Sequence, residues 1–194
     1  RKDYLRVSKE LPYQLFSLNQ WATLQEVLAD YPLLQEVWAD KPDTVRLYWN
    51  TIEQQTNPKF IKGQIHLTRL DTYKHLIENP SVYKLAYVEI VMQLLQLDYP
   101  TESYSLLTYL LNIYEGNENV HKQLELLAIK AKQTTIIASI EEALDDYTKL
   151  HELASQYEAP FYEQLSLVNL AKYYMDKLEL DKALSYIKKK KKIC

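Results

Sequence analysis

The sequence predicts an all-α fold in which helical hairpins stack into a right-handed α-α superhelix. Only 2 of the 194 residues are glycine, which argues against the glycine-dependent turns of a β-sandwich or barrel. Apolar residues recur at intervals of three and four along the chain, the spacing that places them on one face of a helix. The sequence also resembles itself at a shift of 40 residues, as repeated helical hairpins do. These three observations favour stacked helices over a turn-rich β fold.

Prolines and one glycine divide the chain into about eleven helices joined by short turns. A proline suits the first turn of a helix because no N–H donor is needed there, and Gly116 can adopt the left-handed conformation that ends a helix. Ser139 and Glu142 form a capping box, which predicts a helix start where no proline stands. The proline breaks lie, in chain order, at Pro32, Pro42, Pro58, Pro80, Pro100 and Pro160.

The repeat of 40 residues is carried by columns of small and large residues. A small side chain on the second helix of a hairpin lets the first helix approach closely, and a bulky residue one turn later fills the groove between hairpins. The small column is Gly63, Ser103, Ala143 and Ala183. The large columns are Leu67, Leu107, Tyr147 and Ile187, and Leu70, Leu110 and Leu150, which ends at Lys190. The columns on the preceding helices are Thr51, Val91, Ala131 and Ala171, and Leu47, Tyr87, Leu127 and Leu167.

A single hairpin of this kind is not expected to be stable alone. Fixing the backbone of about 40 residues costs on the order of 40 to 80 kcal/mol, and one exposed pair of helices cannot bury enough surface to offset that cost. Each hairpin therefore depends on its neighbours, as in repeat proteins.

The last unit resembles the tetratricopeptide repeat (TPR), in the longer-period style of kinesin light chains. It reads Leu167-x-x-Leu170-Ala171-x-x-Tyr174, and its second helix carries Ala183-x-x-x-Ile187. Asn169 resembles the second Asn of the Asn-Asn-Leu-Ala found in many such repeats. The two preceding units fit more loosely, with Val91 and Ser103 where alanine is usual. The resemblance implies about three TPR-like hairpins at residues 80–115, 117–158 and 160–191.

Residues 1–79 carry a second resemblance, and we expect them to form a helical linker with one degenerate hairpin at 42–78. The segment contains Glu-Leu-Pro-Tyr-Gln-Leu at 10–15, then Trp21, then Val-Arg-Leu-Tyr-Trp at 45–49. This order is similar to the helical segment that joins the winged-helix part to the repeats in STAND-class signalling NTPases of the nephrocystin and telomerase-associated-protein kind. The resemblance implies that the chain is the sensor end of a larger switch protein, with its nucleotide site upstream. Trp21, Trp38 and Trp49 lie on apolar helical faces, and we expect them in the core.

The charge distribution excludes some partner classes. The formal net charge is −3, but without the run from Lys188 to Lys192 only 18 basic residues remain against 26 acidic ones, a net of −8. An acidic body lacks the attraction for phosphate that dominates nucleic-acid affinity, and an anionic membrane would repel it, so we expect neither partner. The lysine run itself is compatible with a nuclear-import or lipid-attracting patch, or with a frayed helix end. One cysteine, Cys194, fits a reducing compartment, which favours a cytoplasmic location.

The sequence contains no catalytic, cofactor-binding or metal-binding motif. His151-Glu152 begins like the zinc motif H-E-x-x-H, but the fifth position is Ser155. The other histidines have no ligand spacing, and Cys194 has no evident base nearby in the sequence. Neither a G-x-G-x-x-G nor a P-loop is present, because the two glycines are isolated. We therefore predict a non-enzyme without cofactor or metal.

The superhelical fold itself suggests a binding groove. The first helices of successive hairpins line the concave surface, and residues turned away from the packing columns face it. A solvated inner face without a ligand is the alternative interpretation, and the carboxylate clamp of co-chaperones is not predicted. The candidate groove residues are Glu89, Met92, Gln96, Lys132, Asn169, Lys172 and Asp176, with Ile129 and Ile136 in the same columns.

The resulting functional hypothesis is a non-catalytic protein-protein interaction or sensor module of a larger signalling NTPase. Its partner would be a protein or peptide, and the sequence also allows self-association. A freestanding TPR scaffold or co-chaperone adaptor without an NTPase is the alternative, and an uncharacterised helical enzyme is the third interpretation.

Overall fold

The computed structural model describes residues 2–59, 65–115 and 119–191, and this part of the chain is helical without any β-strand. The all-α prediction is thus confirmed. Eleven α-helices and one short 3-10 helix, Pro80–Val82, are present in the described ranges. The helices are α1 (Lys2–Ser17), α2 (Trp21–Ala29), α3 (Tyr31–Asp40), α4 (Pro42–Gln55), α5 (Arg69–Glu78), α6 (Leu85–Leu95), α7 (Pro100–Tyr114), α8 (Val120–Ile137), α9 (Ile140–Gln156), α10 (Pro160–Asp176) and α11 (Leu180–Lys191).

The predicted start signals coincide with the starts of five of the eleven α-helices described. Proline is the first residue of α4, α7 and α10, and it is the second residue of α3. The capping box at α9 forms as predicted, because the backbone N–H of Glu142 donates to Ser139 Oγ at 3.1 Å. Pro12 is the exception, since it lies buried inside α1.

The chain divides into two compact units, Arg1–Ser103 and Tyr104–Cys194, and the division falls within α7. The sequence placed the boundary between linker and repeats at residue 79, which is a different position. We call the first part unit 1 and the second part unit 2, and we describe each by itself.

Two tyrosine hydroxyls fix the junction between α2 and α3 in unit 1. Tyr73 donates to the backbone oxygen of Leu28 at 2.8 Å, and Tyr87 donates to the backbone oxygen of Ala29 at 2.7 Å. The last carbonyls of a helix have no intrahelical partner, so these hydroxyls satisfy groups that would otherwise be buried unpaired. Burial raises the pKa of both tyrosines, which keeps the hydroxyls protonated as donors. Trp49 is fully buried beside Tyr73, whereas Trp21 and Trp38 are only partly buried.

A buried arginine links distant segments of unit 1. The Arg69 side chain is 2% exposed, and its guanidinium contacts Glu53 Oε2 at 2.7 Å and Asp98 Oδ2 at 2.8 Å. Glu53 Oε1 also accepts from the backbone N–H of Arg69 at 2.8 Å and from the Tyr99 hydroxyl at 3.1 Å. Burial and the Glu53 carboxylate raise the pKa of Tyr99 to about 12. The network ties the end of α4 to the start of α5 and to the turn before α7.

Unit 2 is a succession of antiparallel neighbours. Helix α8 packs on α9, α9 packs on α10, and α10 packs on α11, with a smaller contact between α8 and α10. Helices α8, α9 and α10 share one hydrophobic core, which consists mainly of leucine and alanine side chains. Its buried members are Leu124, Ala131, Ala143, Tyr147, Leu150, Ala154 and Leu170.

The small-residue column of the repeat is buried wherever the structure describes it. Ser103 and Ala143 have no exposed surface, and Ala183 is 2% exposed, as close approach of helices requires. Gly63 lies outside the described residues. The large column beside it is buried at Leu107 and Tyr147, but Ile187 is 36% exposed. Among these described residues, the pattern is therefore weakest at α11.

Two helices of unit 2 end with a non-glycine residue in the left-handed conformation. Glu158 has φ 50° and Leu178 has φ 60°. In both turns the next residue donates its N–H five residues back, from Ala159 to Ala154 O at 2.8 Å and from Glu179 to Tyr174 O at 2.8 Å. This is the Schellman pattern, in which glycine is the usual residue because it has no Cβ.

Candidate functional site

The predicted groove residues fall in both units. Glu89 and Met92 lie on α6 and Gln96 directly follows it, so all three belong to unit 1. The other four belong to unit 2, with Lys132 on α8 and with Asn169, Lys172 and Asp176 on α10. Only the four residues of unit 2 therefore lie together on neighbouring helices of one unit.

Met92 does not face a groove. Its side chain has no exposed surface, and its backbone oxygen accepts a hydrogen bond from Ser103 Oγ at 2.8 Å. The reason is the composition of α6, which is apolar on nearly all sides and buries seven of its eleven residues. A helix of this kind belongs to the core, and Met92 is therefore removed from the candidate site. Glu89 and Gln96 are half-buried.

The four candidates of unit 2 lie on α8 and α10, which contact each other. Lys132, Lys172 and Asp176 are exposed, while Asn169 is half-buried and donates from Nδ2 to the backbone oxygen of Leu165 at 2.8 Å. The amide of Asn169 is therefore already engaged within its own helix. Ile136 is 64% exposed and adds an apolar position to this surface.

A different concavity of unit 2 is formed by α7, α8 and α9. It has a volume of about 460 Å³, and we call it the unit 2 groove. None of the seven predicted residues lines it. Its walls are Thr108, Leu111 and Asn112 from α7, Glu115 directly after α7, Gln123, Leu127 and Lys130 from α8, and Lys149, Glu152, Leu153 and Gln156 from α9.

One lysine of the groove is held by a buried acid. Lys130 Nζ contacts Asp146 Oδ1 at 2.7 Å, and Thr134 Oγ1 donates to Asp146 Oδ2 at 3.0 Å. Burial alone would lower the pKa of Lys130, but the hydrogen bond and the charge of Asp146 raise it. The ammonium group is therefore charged at neutral pH and fixed in position at the groove wall.

The remaining polar lining is more open. Glu115, Lys149 and Glu152 are exposed and place both signs of charge around the groove, and three leucines supply its apolar part. Three amide side chains, from Asn112, Gln123 and Gln156, also line it. Each amide offers donors and an acceptor, which is the inventory needed to hydrogen-bond a peptide backbone.

The site chemistry contains no assembled metal centre in the part of the chain that the structure describes. No three His, Cys, Asp or Glu side chains there are grouped as metal ligands.

His151 lies on α9, and its Nδ1 is buried without a hydrogen-bond partner among the described residues. Burial is the main cause that lowers the pKa of His151, and Lys189 contributes in the same direction. Among these residues, no helix has both the length and the apolarity to cross a membrane.

Sequence reasoning missed the groove because its lining has no periodic signature. The residues come from three helices at irregular intervals between 108 and 156, and most are ordinary surface types. The one local signal is that Lys130 and Thr134 interrupt an apolar helical face in the sequence.

Comparison with known proteins gives no further assignment. No protein-family model matches the chain, and no curated protein or solved structure matches it significantly.

Proposed function

We propose that this chain is a non-catalytic protein-protein interaction module that binds an extended peptide or protein segment in the unit 2 groove. The observation that carries the proposal is the lining of that groove, which combines three amide side chains, three leucines and charges of both signs. Amides can pair with the regularly spaced backbone groups of a peptide, and leucines can receive its apolar side chains. Fixed charges such as Lys130 would set its orientation.

The α8 and α10 surface is a second candidate site for the same function. Lys132, Ile136 and Lys172 are exposed there, and a mixed charged and apolar surface also suits a peptide. Glu89 and Gln96 stay predictions for this mode of binding. The two surfaces can be separated experimentally because they share no residue.

The test begins with a phage library of random 12-mer peptides panned against the 194-residue chain. Selected peptides are titrated by calorimetry against wild type, against Gln123→Ala with Lys149→Glu, and against Lys132→Glu with Lys172→Glu. We expect the groove variant to weaken binding about tenfold or more, as loss of central contacts does, and the second variant to leave it unchanged. The reverse result would move the site to the α8 and α10 surface. Failure to select any peptide, or no effect of either variant, would contradict the proposal.

We infer a TPR-like superhelix for the hairpins. Support comes from the sequential packing of α8 to α11 and from the buried column of Ser103, Ala143 and Ala183. The linker resemblance supports placing the module in the sensor part of a signalling NTPase, with a freestanding scaffold or co-chaperone adaptor as the alternative. Reading the residues encoded upstream for a glycine-rich phosphate loop decides between these two, and a cytoplasmic location stays a prediction.

A further inference from the structure

Helix α11 exposes a row of apolar side chains. Leu180 is 59% exposed, Leu184 is 50% exposed and Ile187 is 36% exposed, and their intervals of four and three place them on one side of the helix. Leu178, in the preceding turn, is 82% exposed. We call these four residues the α11 stripe. Single exposed apolar residues are normal on a protein surface, but a contiguous row of them indicates an interaction site.

Leu178 breaks two local preferences at once. It is a large apolar residue in solvent, and its φ of 60° is a conformation that glycine adopts without steric cost. Together with residues 179–182 it lines a shallow concavity of about 490 Å³ at the start of α11. A leucine is unfavourable here because it is exposed to solvent and has a left-handed backbone. Such a residue suggests a role in binding rather than in stabilising the fold.

The repeat indicates what kind of element covers such a row. At a shift of 40 residues, Leu184 and Ile187 correspond to Leu144 and Tyr147 on α9. Tyr147 is 7% exposed and Leu144 packs against the same core, which α8, α9 and α10 share. On α9 these positions are thus enclosed by neighbouring helices. On α11 the inward positions are Ala183 and Tyr186, and Tyr186 stacks on Tyr174 of α10 at 5.5 Å.

The charge at the end of α11 indicates the chemistry of the partner. Lys188 and Lys189 are exposed and directly follow the stripe, at the start of the run that extends to Lys192. Lys182 is instead paired with Glu179 at 2.6 Å, and Lys189 lies over the Tyr186 ring at 5.3 Å. Lys188 follows Leu184 by four residues, so it is the exposed lysine on the side of the stripe. An apolar row that ends in lysines is complementary to a helix with leucine-type residues on one side and acidic residues beside them.

We infer that the α11 stripe is a second interaction surface, which binds an acidic amphipathic helix of another protein. This surface shares no residue with the unit 2 groove and does not depend on the proposed peptide binding there. The partner helix occupies the place on α11 that α10 occupies on α9, and its acidic residues face Lys188.

The probe is taken from the chain itself. It is a fluorescein-labelled peptide with the sequence of residues 160–176 and the change Lys172→Glu, which leaves three acidic and no basic side chains. The control peptide keeps Lys172 and carries Glu163→Lys and Asp176→Lys, so its three charged side chains are basic and its apolar residues are unchanged. Both peptides are titrated with the full chain by fluorescence anisotropy at low and high salt.

We expect the acidic peptide to bind and the basic peptide to bind at least about tenfold more weakly. The variant Leu184→Ser with Ile187→Ser should weaken the acidic peptide by about tenfold or more, and Lys188→Glu with Lys189→Glu should weaken it by about fivefold at low salt. The matched control is Val82→Ser in the 3-10 helix, whose side chain is also exposed and belongs to neither candidate site, and it should leave binding unchanged. Circular dichroism of each variant verifies that the helices are intact, and the lysine variant tests the surface without touching apolar packing.

Several outcomes would overturn the inference. Equal affinity for both peptides, or unchanged binding by both stripe variants, would contradict it. Sedimentation showing that wild type dimerises and that Leu184→Ser with Ile187→Ser is monomeric would assign the stripe to a second copy of the chain. Co-flotation with phosphatidylserine vesicles, lost in Lys188→Glu with Lys189→Glu, would assign it to a lipid surface.

Discussion

Removing the Glu53 side chain tests the buried arginine network of unit 1. In Glu53→Ala, the guanidinium of Arg69 stays in a site where its side chain is 2% exposed, but it loses its contacts to Glu53 at 2.7 and 3.0 Å. The Tyr99 hydroxyl and the Arg69 backbone N–H lose their acceptor as well. Leaving one partner of a buried ion pair uncompensated costs about 3 to 5 kcal/mol. Asp98 still contacts Arg69 at 2.8 Å, so we expect the lower end, about 3 kcal/mol.

Asp98→Ala is the matched control. Its side chain is 48% exposed, and a solvent-screened ion pair contributes about 1 kcal/mol or less. A third variant, Glu53→Leu with Arg69→Met, removes both charges of the buried pair and should recover most of the loss, because apolar residues of similar size can replace such a pair.

Tryptophan emission during urea unfolding measures these changes in unit 1 alone. All tryptophans of the chain lie in that unit, at Trp21, Trp38 and Trp49. The midpoint and slope of the transition then give the free energy of unfolding of each variant. A loss below about 1 kcal/mol for Glu53→Ala, or a loss as large for Asp98→Ala, would refute the reasoning that the buried charge dominates.

Three further predictions concern unit 2. Burial lowers the pKa of His151 below its ordinary value, so the unfolded chain takes up this proton more readily and stability should fall as pH drops below about 6.5. His151→Gln should reduce that fall in thermal unfolding, and equal pH profiles would contradict the prediction. Ala143→Leu should cost about 1 to 3 kcal/mol, because the site is fully buried and has no room for extra methylenes, while Thr148→Leu on the exposed side of α9 should cost little by the same circular-dichroism assay. Leu178→Gly should raise stability by about 0.5 to 1 kcal/mol, since it relieves the left-handed backbone at φ 60° at some entropic cost, and a lower melting temperature would count against this.

The helix boundaries could be predicted because their causes are local. A proline at the start of α10 and a capping box at the start of α9 act within one turn of the residues that carry them. The small column could be predicted for a related reason, since helix pairs of similar length return equivalent residues to equivalent places. Pro12 departs from this logic because its burial in α1 depends on packing with other elements.

The site could be predicted less well because it depends on tertiary position. Arg69 and Glu53 are 16 residues apart and lie on different helices, α5 and α4, so no helical or strand period connects them. Met92 was assigned to a groove from its register alone, but the burial of its whole helix decides its environment. Three helices line the unit 2 groove, and their relative positions cannot be inferred from residue spacing within one helix.

The sequential packing of α8 to α11 has a consequence for local unfolding of unit 2. Because each of these helices packs chiefly on the helices before and after it, local unfolding of α11 removes packing from α10 first. Amide protons of α11, which packs on α10, should therefore exchange with solvent sooner than those of α9, which packs on both α8 and α10. A ligand bound to α11 should therefore slow amide exchange in α10 as well as in α11.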